Sequence, residues 1–159
     1  MNTKANGLIL AVIVFGVSWI GLPPSASAQD SDSMTLKVQV LALNDSGIKG
    51  TAVVSITDDG LIGKLKADHL VPGHAYTVWL FYQEGTDVGG PGRFDSAVAE
   101  DDDTTFRGRV RGMRVTSGGT VKLVMFDHPD LGPTNVTRAD NLLTPNGGHP
   151  VAQAIFEIP

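Results

Sequence analysis

The sequence predicts an all-β chain, a single antiparallel immunoglobulin-like or Greek-key β-sandwich of seven or eight strands. Three observations carry that expectation. From residue 34 onward, short runs alternate apolar and polar residues with a period of two; clusters of Gly, Pro, Asp and Asn separate the runs; and no long amphipathic helix, repeat or linker interrupts them. The expected organisation is a signal segment over 1–28, a polar leader over 29–33 and one β-sandwich domain over 34–159.

The signal reading rests on layout. Lys4 precedes an apolar stretch from Gly7 to Leu22, and Pro23, Pro24 and the small residues Ala26, Ser27 and Ala28 follow it. A spanning helix wants about 20 apolar residues and would not accept two prolines at its end, so cleavage after Ala28 is expected, with retention as an anchor the alternative. Lys4 is the segment's sole charged residue, so its loss moves the formal net charge from -5 to -6. The remaining chain is long enough to bury a core without covalent help, which it needs, because the sequence contains no cysteine. An acidic, cysteine-free exported chain points to the periplasm or the exterior, and away from nucleic acid and anionic membranes as partners.

The strands follow in order. "MTLKVQVLAL" sets Met34, Leu36, Val38, Val40 and Ala42 against Thr35, Lys37 and Gln39, a half-buried strand that ends at the turn "NDSG". Gly50 to Thr57 directs Ala52, Val54 and Ile56 inward, and "DDG" turns it into a run from Leu61 to Leu70. Tyr76 to Gln83 is apolar on both faces, which places it in the middle of the structure. The Gly/Pro-rich stretch "EGTDVGGPGRF" reads as a loop, followed by a short run from Asp95 to Ala99 and the acidic turn "EDDD". Thr105 to Met113 and Thr120 to His128 are two more strands joined by "TSGG", and Val151 to Ile158 is the last. The long connection from Pro129 to Pro150 has room for a helical turn at Thr137 to Leu143.

The histidines supply the candidate chemistry. If successive strands reverse direction, the turn at His74, the "EDDD" turn and the long connection bounded by His128 and His149 all fall at one end. His74, His128 and His149, with Asp127 nearby, then offer imidazole and carboxylate donors for one zinc or copper ion, the other reading being exposed loop histidines. His69 follows the parity of Leu65 and Ala67 and reads as a strand-end residue. Glu100 to Asp103 lacks the ordered spacing of a calcium loop and reads as a solvated hairpin tip. In "TFRGRVRGM", Arg107, Arg109 and Arg111 form a basic stripe opposite Phe106 and Val110. Such a stripe can take a carboxylate- or phosphate-bearing partner, or be the wet side of a strand neutralised by the acidic turn before it. The sequons at Asn44 and Asn135 matter only in a glycosylating host.

The stretch "GKLKADHLVPGHAYTVWLFYQEGTDVGGPGRF" is similar to the outer domain of anti-sigma-K-type factors through Leu70, Gly73, Tyr76, Trp79, Leu80, Gly92 and Phe94. The same turn and strand resemble the copper/zinc superoxide dismutase sandwich, whose corresponding strand carries a His-x-His copper pair. Here Thr77, Val78 and Trp79 occupy that strand, and no His-x-His occurs in the chain. The six residues ahead of the apolar stretch leave no room for a sigma-holding domain. Both resemblances imply a sandwich in an exported setting, without dismutation and without sigma binding.

Catalytic parts are missing as well: there is no cysteine nucleophile, Gly-x-Ser-x-Gly elbow, phosphate-binding glycine loop or His-Glu-x-x-His helix. The sequence therefore points to an exported, non-catalytic binding or structural module without a cofactor, whose partner is a protein or small-molecule ligand that the sequence does not name. The alternative is a dismutase-like sandwich that holds zinc or copper with its loop histidines.

Overall fold

A computed structural model of the chain describes residues 33–85, 87–130 and 148–159. The signal segment, most of the polar leader, Asn135 and the helical turn expected at Thr137 to Leu143 lie outside the described residues. Among the described residues eight strands form: β1 (Met34–Ala42), β2 (Lys49–Thr57), β3 (Gly60–Asp68), β4 (Ala75–Glu84), β5 (Asp87–Val98), β6 (Asp103–Arg111), β7 (Thr120–His128) and β8 (His149–Glu157). Among the described residues there is no helix, and so none long and apolar enough to cross a membrane.

All eight strands belong to one antiparallel sheet in the order β5-β4-β7-β8-β1-β2-β3-β6. The sheet curls until its two end strands lie side by side, which makes it nearly a barrel. At that seam the Arg107 amide donates to the Asp95 carboxylate at 2.6 Å, and the same carboxylate accepts from the Ser96 amide at 2.8 Å. Val110 approaches Gly92 from across the seam.

Period-two patterning fills the interior. Ala52, Val54, Leu61, Leu65, Phe106, Leu123 and Phe156 are buried in one core, while Arg107, Arg109 and Arg111 are exposed, the facing expected from the sequence. Both faces of β4 are covered, again as expected: Tyr76, Val78 and Leu80 join the core, whereas Thr77 and Trp79 are buried on the opposite face.

One element differs. The Gly/Pro-rich stretch expected to be a loop is most of β5, the longest strand. It pairs with β4 from Glu84↔Asp87 to Ala75↔Val98, with irregularities between Val78 and Trp79 and between Leu80 and Tyr82. The second irregularity leaves Gly90 and Pro91 out of register, and β5 is an end strand with a regular ladder on one side. An end strand with a bulge is where a sheet accepts proline and glycine, so turn-forming composition did not prevent pairing.

The seam is shaped by two glycines. Gly63 of β3 and Gly108 of β6 are directly opposed, leaving a hollow on the inner face. Phe94 of β5 lies over it: a Cβ on Gly108 would come within 2.6 Å of the Phe94 ring and closer still to the Phe94 carbonyl oxygen. Gly108→Ala should therefore destabilise the protein by about 1–3 kcal/mol through overpacking. Urea denaturation of the variant beside wild type measures it; an unchanged midpoint would mean that Phe94 does not hold the seam as described.

Candidate functional site

Strict alternation of strand direction brings the connections β1–β2, β3–β4, β5–β6 and β7–β8 to the same end of the barrel. Register confirms the gathering: Ala75 pairs with both Val98 and His128, and Asp127 pairs with His149. His69, His74, Asp127, His128, His149 and the acidic tip at Glu100 to Asp103 thus share one end.

The side chains divide into three environments. His74 pairs with Asp127, its Nδ1 lying 3.0 Å from each carboxylate oxygen. An ionised carboxylate has no proton to give, so Nδ1 is the donor. The pair is partly buried, with the two side chains 30% and 16% exposed. His74 is thus more than a turn residue delivering the chain into β4: it holds a half-buried carboxylate by a hydrogen bond at the barrel end.

His128 faces the other way. Residues 121, 123 and 125 of β7 point into the core, while Phe126 and His128 are buried on the opposite face beside Thr77 and Trp79. The Trp79 indole N–H donates to Thr77 Oγ1 at 3.1 Å, and Thr77 Oγ1 lies 2.9 Å from His128 Nε2. Having accepted from the indole, the hydroxyl is placed to donate its own proton to Nε2 of a neutral imidazole, the assignment that this network favours. Burial lowers the His128 pKa, an effect that Asp127 opposes and His149 reinforces. Gly148 sits against the ring, close enough that a Cβ there would be 2.5 Å from Cε1.

The third environment is the barrel mouth, a groove of about 340 Å³. Ile48, Tyr76 and Val151 form its apolar floor, and His69, Asp127 and His149 stand at its rim. The β1–β2 turn closes one side: Asn44 and Asp45 adopt left-handed backbone, which Asn and Asp tolerate, the Asn44 amide donates to Pro150 O, and Ser46 Oγ donates to Val151 O. Tyr76 Oη accepts from the Val71 amide at 2.9 Å, and burial raises its pKa. His69 is left-handed as well, with φ of 67°, an uncommon conformation for a histidine.

Of the sequence-predicted donors, His74 and Asp127 come together, His128 is turned into the outer layer and His149 is exposed at the rim. Among the described residues no group of three His, Asp or Glu is placed to hold a metal ion. Asn44, Ser46 and Tyr76 were not read from the sequence as site residues, although the same parity that collects the histidines puts the "NDSG" turn beside them.

Two outcomes follow from these pairings. Removing His74 strips a half-buried carboxylate of its partner, so His74→Ala should cost about 1–2 kcal/mol rather than the sub-kilocalorie effect of an exposed turn residue. A double-mutant cycle with Asp127→Asn should return a coupling of at least about 0.5 kcal/mol, and additive effects would dissolve the pair. For His128, the folded protein holds the neutral ring while the unfolded chain takes up a proton near the ordinary value of 6.5. Below that pH the unfolded state binds more protons, so this contribution to stability is complete above about 6.5 and is lost as pH falls toward the depressed folded value. Denaturation across about pH 5 to 8 should show a shallower loss in His128→Gln than in wild type; parallel curves would refute the assignment.

No family model, curated protein or solved structure matches the chain.

Proposed function

We propose that this chain is an exported, non-catalytic β-sandwich module of the cell envelope or exterior, with immunoglobulin-like Greek-key wiring, and that it binds a small ligand in the barrel mouth. The wiring is supported by the neighbour relations: β4 and β5 pair, β6 lies against β5, and β7 returns to the other side of β4, the arrangement of a Greek key. It is the arrangement that the resemblance to the dismutase and anti-sigma sandwiches leads one to expect.

The observation that carries the binding reading is the groove itself. An apolar floor with a few convergent polar groups, in the mouth of a barrel-like sheet, is a common form of ligand site. A volume near 340 Å³ suits a small molecule rather than a polymer. A ligand resting on Ile48, Tyr76 and Val151 meets imidazole donors from His69 and His149, and a carboxylate already hydrogen-bonded by His74. That setting favours a small polar compound with an apolar body.

The metal-binding alternative keeps one supporting observation, the collection of four histidines and Asp127 at one end. Their engagements argue against it. His74 Nδ1 is committed to Asp127, His128 Nε2 to Thr77, and in β4 a hydroxyl and an indole stand where the dismutase sandwich would carry two copper-binding imidazoles. The donors as placed do not fit one ion, and no redox step is derived from them.

Two measurements on the purified chain address the two readings. Amide shifts of the purified chain recorded against a small-molecule fragment set should move at Asn44, His69, Tyr76 and His149, and the responses should disappear in Val151→Trp, which fills the groove. Shifts spread over other surfaces would reject the mouth as the site. Metal content should be far below one equivalent. One equivalent, lost alike in His74→Ala, His128→Ala and His149→Ala, would establish the metal reading instead.

A further inference from the structure

The outer face of β1, β2, β3 and β6 is as distinctive as the mouth and separate from it. It carries Lys37, Lys64, Lys66, Arg107, Arg109 and Arg111, all exposed, in a chain whose formal net charge is -5. Acidic neighbours neutralise two of them, at opposite margins of the face. Lys66 pairs with Asp68 and Asp103 at 3.1 and 3.2 Å, and Arg109 with Asp59 at 2.8 Å. The acidic turn before β6 thus reaches Lys66 and none of the arginines.

Lys37, Lys64, Arg107 and Arg111 have no acidic partner among the described residues. Strand register sets three of them in one row, Lys37↔Val53, Val53↔Lys64 and Lys64↔Arg107. With strands about 4.8 Å apart, Lys64 and Arg107 are anchored about 5 Å from each other and Lys37 about 10 Å from Lys64. Like charges directly opposed across a ladder destabilise a sheet, and any neutral polar residue would serve the fold better at either position. A bound polyanion reverses the sign of that repulsion.

The rest of the face selects among polyanions. Thr35, Gln39, Thr51, Ser55 and Thr105 surround the row with hydroxyl and amide groups, and Thr35 and Ser55 already share a 2.8 Å hydrogen bond. No aromatic residue stands among them, so bases of a single-stranded nucleic acid find no stacking platform. The curled sheet packs its end strands against each other, with Phe94 of β5 over Gly108 of β6, which obstructs the addition of a peptide strand at that edge. What the face offers is spaced positive charge with hydroxyl partners on a broad, open surface. We propose that it binds a linear acidic polysaccharide, whose carboxylate or sulfate groups are held by Lys37, Lys64, Arg107 and Arg111.

Calorimetric titration of the purified chain at low ionic strength tests this, with polygalacturonate as the carboxylate probe, dextran sulfate as the sulfate probe and neutral dextran as the control. Binding to one or both charged polymers and none to dextran is expected, and the stronger partner identifies the anionic group. Lys64→Gln combined with Arg107→Gln should weaken binding at least tenfold and flatten its salt dependence, because fewer counterions are released. Lys122→Gln, on the other half of the sheet, should change neither. The double variant should melt no lower than wild type, since it loses a repulsion; if it does melt lower, Lys37→Gln with Arg111→Gln carries the same comparison. Failure to bind either charged polymer, equal weakening by Lys122→Gln, or tighter binding of polyglutamate or single-stranded DNA would overturn the proposal.

Discussion

Closure of the sheet at β5 and β6 is the constraint on which the remaining features depend. An open eight-stranded antiparallel sheet would expose two edges of unpaired amides and carbonyls, and one of its faces would lose its partner layer. Here Phe94 fills the hollow above the opposed Gly63 and Gly108, and the Asp95 carboxylate accepts the Arg107 amide where a regular ladder is absent. An aromatic side chain and one carboxylate thereby substitute for a run of main-chain bonds. The enclosed core follows from that contact, and so does the mouth, because a groove at a sheet's end exists only when the sheet curves round it.

Closure also explains why the fold was legible in the sequence to different depths. Individual strands were readable because each is a local pattern: β7 runs over the residues expected, and the inward and outward faces of β2 and β6 match the alternation of Ala52, Val54 and Ile56 and of Phe106 with its flanking arginines. The strand within "EGTDVGGPGRF" was not readable, because glycine and proline there sit at a bulge in an end strand, a consequence of non-local pairing. Gly63 and Gly108 did carry a signal, since glycine inside a strand often marks a backbone approach. Interpreting it required knowing that β3 pairs with β6, some forty residues along the chain.

The candidate site shows the same division. Parity alone placed His74, His128, His149 and Asp127 at one end, because reversal of direction is a topological property and needs no coordinates. Their roles depended on side-chain direction. A bulge between Met125 and Phe126 accompanies the change by which Asp127 meets the mouth while His128 turns to the outer layer, and residues adjacent in sequence enter unrelated environments. A set of metal donors judged by proximity along one end therefore separates into a His74–Asp127 hydrogen-bonded pair, a buried hydrogen-bond chain and an exposed rim residue.

Charge follows a complementary logic. The acidic residues that pair do so at the margins: Asp59 at one end of β3, Asp68 and Asp103 at the other, Asp127 at the mouth. Between those pairs on the β1-β2-β3-β6 face, Lys37, Lys64 and Arg107 stand without an acidic partner among the described residues, although the chain as a whole has acid to spare. Surface ion pairs contribute little to stability, so folding alone exerts weak pressure either to create them or to avoid them. Direct opposition of Lys64 and Arg107 is different, because it works against the ladder that joins β3 to β6, and β6 is the strand on which closure depends. A repulsion placed beside the seam, where the fold is least able to absorb it, is the cost that the proposed binding of a polyanion offsets.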